Sequence, residues 1–92
     1  MHNAELKRRL LELVADVRDG RYEPDWDLGK SEYLGASQEL AAAYEARARP
    51  LLEAYLGRGL ITPEELAAHA TAGVDRDVLA DRLQTLAECL PG

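Results

Sequence analysis

The residues with side chains suited to binding a transition metal are two histidines and one cysteine, His2, His69 and Cys89. No two of them have the spacing of a ligand pair on one helix or in one loop, so the sequence predicts no zinc-type site. Cys89 has no histidine or basic cluster beside it to activate its thiol. Serine–histidine, paired-carboxylate and phosphate-loop arrangements are also absent from the sequence. We therefore expect no metal, no cofactor and no catalysis by this chain alone.

The segment PDWDLGKSEYLGA, residues 24–36, begins like an EF-hand calcium loop, with Asp25 and Asp27 as its first carboxylates. Such a loop requires glycine at its sixth position and glutamate at its twelfth. Counted from Asp25, the sixth residue is Lys30 and the twelfth is Ala36. The pattern therefore predicts an acidic, solvated loop instead of a calcium site.

Residues 64–86, EELAAHATAGVDRDVLADRLQTL, have the order of a helix-turn-helix: a capped helix, a glycine turn and a second amphipathic helix. The second helix, however, would bring aspartates toward the DNA phosphates with only two arginines against them. These residues are Asp75, Asp77 and Asp81, with Arg76 and Arg82. The whole chain has 17 acidic and 11 basic residues and a formal charge of −6. Repulsion makes a DNA-binding regulator the least favoured hypothesis, and we expect no nucleic-acid partner.

Length and composition indicate one domain, residues 1–92, with a modest hydrophobic core. A single cysteine excludes an internal disulfide and is compatible with a reducing cytosol. The N-terminal residues contain no apolar run of the signal-peptide type. No apolar run approaches the roughly 18 residues of a membrane span. We therefore expect a cytoplasmic protein that has no membrane partner.

The apolar residues recur at helical spacing in every long segment. Helices are predicted over residues 4–18, 37–56, 63–70 and about 75–89, the last with Asp75 as its cap, and an ordered loop containing Trp26 follows the first helix. The predicted apolar stripe of the first helix is Leu6, Leu10, Leu13, Val14 and Val17. The predicted apolar side of the last helix is Val78, Leu79, Leu83, Leu86 and Leu90. Pro50 interrupts the apolar stripe of the second segment, so that segment is either one kinked helix, which we favour, or two helices. The predicted fold is all-α, a small bundle of four to five helices.

The joint between residues 56 and 63 carries several local signals at once. Gly57 and Gly59 suit the left-handed conformation that often follows a helix end. Thr62 and Glu65 have the spacing of a capping box around Pro63, which fits the first helical position. Ile61 and Leu66 have the spacing of a hydrophobic staple. These signals predict a helix start that fixes the angle between two helices.

Residues 32–70 resemble the helical N-terminal part of nitrile hydratase beta subunits and of their small accessory proteins. The motifs that carry the resemblance occur in the family's order: Tyr33-Leu34, Tyr44-Glu45, Leu51-Leu52-Glu53, Gly59 and Ile61-Thr62-Pro63-Glu64-Glu65-Leu66. The resemblance implies that a Cys-x-x-Cys-Ser-Cys metal claw lies on a separate alpha chain. It also implies an arginine that reaches toward that claw from ahead of the Tyr-Leu pair, for which Arg21 is the nearest candidate.

The leading hypothesis is a non-catalytic subunit or accessory protein that binds and stabilises a metal-binding alpha chain. The alternative is a small acidic immunity protein or antitoxin that inhibits a basic toxin. Aromatic and apolar residues favoured at interfaces would contact the partner, although the same residues could instead fill a core that lacks phenylalanine. The candidates for this contact are Trp26, Tyr33, Leu40, Tyr44, Leu51 and Tyr55.

Overall fold

The computed structural model describes residues 1–22, 34–70 and 76–91. Within these ranges the chain forms four helices and no strand, which confirms the all-α prediction. The helices are α1, Asn3–Arg18; α2, Leu34–Leu56; α3, Pro63–Ala70; and α4, Arg76–Glu88. The predicted Trp26 loop and the predicted cap at Asp75 lie outside the described residues.

The helices α1 and α4 form the most extensive helix–helix contact. The five apolar residues that defined the predicted stripe of α1 are all buried, and three leucines among them are fully inaccessible: Leu6, Leu10 and Leu13. From α4, Leu83 is equally inaccessible. Val78, predicted on the apolar side of α4, is 41% exposed. It lies on the helix surface just outside the arc that faces the core, so that assignment was wrong.

The central segment is one helix, α2, that continues through Pro50. Of the two alternatives for this segment, the single helix is therefore the observed one, and it begins three residues earlier than predicted. Pro50 has no N–H to donate to the carbonyl of Ala46. Both residues are exposed, so water can hydrogen-bond to that carbonyl and the helix tolerates the proline.

The joint between α2 and α3 has the predicted cap in altered form. Glu65 N donates to Thr62 Oγ1 over 3.2 Å, as in a capping box. The Glu65 carboxylate accepts a hydrogen bond from the Thr62 hydroxyl at 3.1 Å, in the place where a capping box would have it accept from the Thr62 backbone amide. Gly59, at φ +71°, supplies the left-handed residue of the turn. The half-buried Ile61 packs against the core cluster that includes Leu66, as a hydrophobic staple requires.

Arg58, in the same turn, connects the joint to the beginning of the chain. Its guanidinium donates to the side-chain oxygen of Asn3 and to the backbone carbonyls of Met1 and Ala54. These bonds hold the turn against the N-terminus of the chain and against the last turns of α2. Among the helices that the structure describes, none combines the length and apolar character needed to cross a membrane.

Candidate partner-binding groove

An open groove of about 350 Å³ runs between α2 and α3. Its apolar lining comes from four residues of α2 and four residues of α3. They are Tyr44, Ala48, Leu52 and Leu56 from α2, and Pro63, Leu66, Ala67 and Ala70 from α3. Three of the eight are alanines, whose short side chains leave the space between the two helices unfilled. This is why a groove exists where interiors are usually close-packed.

The floor of the groove is fixed by the side chain of Tyr44, which is 1% exposed. Its hydroxyl donates to the carbonyl oxygen of Ala70 over 3.0 Å. That carbonyl lies in the last turn of α3, where backbone oxygens lack a partner within the helix. Burial raises the pKa of Tyr44, with Glu45 contributing in the same direction, so the hydroxyl remains a donor at neutral pH. This bond holds the C-terminal end of α3 against α2.

A polar cluster on the other side of Tyr44 ties α2 to α1. Arg47 Nη1 donates to Asp16 Oδ2 and, over 3.0 Å, to the hydroxyl of Tyr22. The Tyr22 ring meets the Tyr44 ring edge-on, with centroids 5.9 Å apart. Arg21 Nη1 lies 3.7 Å from the same Asp16 oxygen. The hydrogen bond from Arg47 holds the pKa of Asp16 below its usual range, and the charges of Arg21 and Arg47 lower it further.

One edge of the groove is charged. Glu45, Arg49 and Glu53 line it at intervals of four residues along α2, and all three are exposed. Residues four apart on a helix lie on the same face, one turn above another. The edge therefore presents a carboxylate, a guanidinium and a carboxylate in a row, which we call the charged edge.

The residues that the sequence predicts for partner contact differ in their burial. Tyr44, Leu51 and Tyr55 are at most 5% exposed and belong to the core of this chain. Leu40 is half-buried on α2. The burial of the two tyrosines agrees with the alternative in which aromatic residues fill a core without phenylalanine. Trp26 and Tyr33 lie outside the described residues.

Arg21, nominated as a contact to a partner's active site, is exposed at the end of α1, with 63% of its side chain accessible. Its described ion pair is with Asp16. Thr62 and Glu65 occupy the helix start for which they were nominated. Neither residue lines the groove, so their role there is to orient α3.

Sequence reasoning missed the residues that give the groove its surface: Glu45, Arg49, Leu52, Glu53, Leu56 and Ala67. Part of this set has a recognisable pattern in the sequence. Ala48, Leu52 and Leu56 form a second apolar line at intervals of four, adjacent to the line that contains Leu51 and Tyr55. Two adjacent apolar lines make a stripe wider than one neighbouring helix needs, and this indicates a second contact.

In the described part of the chain, no three histidine, cysteine or carboxylate residues are grouped so that they could hold a metal ion. The single cysteine, Cys89, is an exposed free thiol. No family model matches the chain, and comparison with curated proteins and with solved structures found no match either.

Proposed function

We propose that the chain is a non-catalytic helical subunit or accessory protein that binds a partner chain through the groove between α2 and α3. The observation that carries the proposal is the groove itself, whose lining residues all fall between Tyr44 and Ala70. These positions lie within residues 32–70, the segment that resembles the helical part of nitrile hydratase beta subunits. The partner in this proposal is a metal-binding alpha chain of a nitrile hydratase-like complex.

The physical argument for docking is the apolar area that the fold leaves open. Leu52 and Leu56 are packed only partly against the core and keep their remaining surface toward the groove. Covering such surface with an apolar partner side chain stabilises a complex by about 25 cal/mol for each Å² removed from water. The core beneath does not depend on this cover, because Tyr44, Ala48 and Leu51 are already buried within the chain.

In such a complex the two chains have different roles. The alpha chain supplies the metal claw and the reaction, and this chain supplies a rigid helical surface that stabilises it. Arg21 is available for the contact with the partner's active site that the resemblance implies, because its guanidinium is exposed at the end of α1. Replacement of Arg21 by lysine in the assembled complex should lower its activity while leaving assembly intact.

The test is affinity capture from the native host with the tagged chain as bait, followed by mass spectrometry. We expect a protein with the Cys-x-x-Cys-Ser-Cys motif in stoichiometric amount. The matched variant is Leu52→Glu, which places a charge in the groove and should abolish capture. Glu64→Gln, on the exposed surface of α3 outside the groove lining, should capture normally. If Leu52→Glu captures the metal-claw chain equally well, the groove is not the binding site. If the captured protein is unrelated, the partner is not a metal-binding alpha chain.

The second candidate is an acidic immunity protein or antitoxin, and the surface charge of α2 and α3 favours it. The exposed acidic residues of these two helices, among those described, are Glu39, Glu45, Glu53, Glu64 and Glu65. A basic toxin surface would be attracted to them. Recovery of a toxin in the capture experiment, together with loss of its toxicity on addition of the purified chain, would establish this candidate in place of the first.

A further inference from the structure

The dimensions of the groove fit a helix better than a compact small molecule. From Tyr44 to Leu56 the groove follows α2 for thirteen residues, and the twelve steps between them at about 1.5 Å each make roughly 18 Å, or a little over three turns. Two helices form its walls, and among the described residues none from outside α2 and α3 lines it. An amphipathic helix that lies in such a groove inserts apolar residues spaced by three and four positions. Compact ligands are usually enclosed on most sides instead.

The charged edge would also determine how a bound helix is positioned along the groove. Glu45, Arg49 and Glu53 follow one another along the groove, separated by about 6 Å of helix rise at each step. A second helix lying alongside would place residues of its own flank opposite them, also four positions apart. Complementary charges at such flanking positions determine partner choice in paired helices.

Electrostatics decide between a second copy of this chain and a different partner. The other arginines of α2 and its turn already have partners, since Arg47 pairs with Asp16 and Arg58 bonds Asn3 and two backbone carbonyls. Arg49 is then the one described arginine of α2 that lines the groove. Each copy of the chain has a formal charge of −6, so two copies repel each other. The surface therefore favours a helix with an excess of basic residues.

We propose that the groove binds an amphipathic helix of the partner chain whose flank carries the pattern basic-x3-acidic-x3-basic. The apolar face of that helix contacts Leu52, Leu56 and Leu66, and its three charges pair with Glu53, Arg49 and Glu45. The pattern is the same read in either direction, so it fits parallel and antiparallel docking alike. This inference rests on the proposed function and adds to it the chemistry of the segment that is recognised.

Three labelled helical peptides test the register, all with the same apolar stripe. The matched peptide has Lys-x3-Glu-x3-Lys on its flank, the scrambled peptide has Lys-x3-Lys-x3-Glu, and the reversed peptide has Glu-x3-Lys-x3-Glu. The matched and scrambled peptides have the same net charge, so their comparison isolates the register from overall attraction. By fluorescence anisotropy we expect the matched peptide to bind about fivefold tighter than the scrambled one and about tenfold tighter than the reversed one.

Variants of the protein complete the test. The triple variant Glu45→Lys/Arg49→Glu/Glu53→Lys should prefer the reversed peptide. The single variant Glu64→Lys changes the net charge by the same amount away from the groove and should keep the original ranking. The Leu52→Glu variant should bind none of the three peptides. Circular dichroism establishes that each variant remains helical.

Equal affinity for the matched and scrambled peptides, or no binding of any peptide, would overturn the proposal. A free chain that is dimeric by light scattering and becomes monomeric on Leu52→Glu would also overturn it, in favour of a second copy as the occupant. The capture experiment separates this failure from that of the proposed function. If the triple variant captures the claw chain normally and Leu52→Glu does not, the function stands and the charge register is wrong.

Discussion

The two halves of the bundle are built differently from similar amounts of helix. The α1–α4 pair is closed: leucines with no exposed surface meet at its centre, and Arg18 of α1 bonds Asp81 at 2.9 Å and Gln84 at 2.6 Å across its rim. The α2–α3 pair is open, with three alanines among the eight apolar residues that line the space between the helices and with a groove in place of a filled interface. Close packing is what stabilises a small domain, so the first pair provides stability. The second pair leaves surface available for binding.

The surface charges also differ between the two helix pairs. Along α1, acidic and basic residues are paired, as Glu5 is with Arg9 and Glu12 with Arg8. The described exposed surface of α2 and α3 instead has an excess of carboxylates, with Arg49 between two of them on the charged edge. A paired surface contributes little specificity, whereas an unbalanced one attracts a partner of opposite charge. Within 92 residues, the closely packed pair and the pair with unbalanced surface charge are therefore different pairs of helices.

The largest difference between the two helix pairs is expected on truncation of their leucines. Leu10→Ala, at a position with no exposed surface, should lower the free energy of unfolding by about 2–5 kcal/mol, because the deletion leaves a cavity. The same deletion in the groove, Leu52→Ala, should cost less than about 1 kcal/mol, because Leu52 is only partly buried and little transfer energy is lost. Urea denaturation measures both values. Equal losses would mean that the two pairs contribute equally to stability.

The next effect concerns the bond that holds α3 to α2. Tyr44→Phe keeps the ring and its contact with Tyr22 but removes the donor to the Ala70 carbonyl, 3.0 Å away. Leaving that buried oxygen unpaired should cost about 1–3 kcal/mol of unfolding free energy. Tyr22→Phe is the matched control, since its hydroxyl belongs to the half-exposed cluster around Arg47. An unchanged stability for Tyr44→Phe would show that water replaces the hydroxyl and that α3 is held by packing alone.

The same tyrosine predicts a pH dependence in alkali. Burial raises the pKa of Tyr44 in the folded state, whereas in the unfolded chain tyrosine ionises near its usual pKa of about 10. Its contribution to stability is therefore complete below about pH 10 and is lost as the pH rises above that value. The stability difference between the native chain and Tyr44→Phe should shrink over this range.

A smaller effect is expected at the joint, which belongs to the open half. Thr62→Ala removes the acceptor of the Glu65 N–H and should cost about 1 kcal/mol. For a domain of this size that corresponds to a melting temperature lower by about 4–8 °C. Thr62→Ser should be nearly silent, because serine accepts the same bond. An unchanged melting temperature for Thr62→Ala would mean that Pro63 and the Ile61 contact fix the helix start without the cap.

Local patterns in the sequence were sufficient to predict the parts of the fold that depend on near neighbours. The stripe of α1 and the bond from the Glu65 amide to Thr62 involve residues within a few positions of each other, and both are observed as predicted. The return bond of the capping box differs, because the Glu65 carboxylate accepts from the Thr62 hydroxyl. The burial of Tyr44 and Tyr55 was left open, because the sequence cannot say what lies opposite a stripe. The partner of the Tyr44 hydroxyl is 26 residues away on another helix, a contact that only the tertiary arrangement reveals.

The groove could be predicted only in part for the same reason. The second apolar line through Leu52 and Leu56 is visible in the sequence. That the opposing residues are Ala67 and Ala70, too small to fill the gap, depends on the angle and rotation of α3. The apolar type of Val78 suggested burial, but the residue is 41% exposed, because residue type alone does not determine which positions of α4 face the core.

The smallest effect should come from the cluster that joins the two halves, Asp16 of α1 with Arg47 of α2. The hydrogen bond from Arg47 lowers the pKa of Asp16 in the folded state, so the folded chain keeps this carboxylate charged to lower pH than the unfolded chain does. The resulting stability is present above about pH 4 and is lost as the pH falls through the lowered pKa. Asp16→Asn should therefore melt slightly below the native chain at pH 7, with a difference that closes in acid. In an Arg47→Gln background the same substitution should have less effect, since the larger cause of the shift has been removed. A difference that persists unchanged to about pH 2 would show that Asp16 joins the halves by packing and not by its charge.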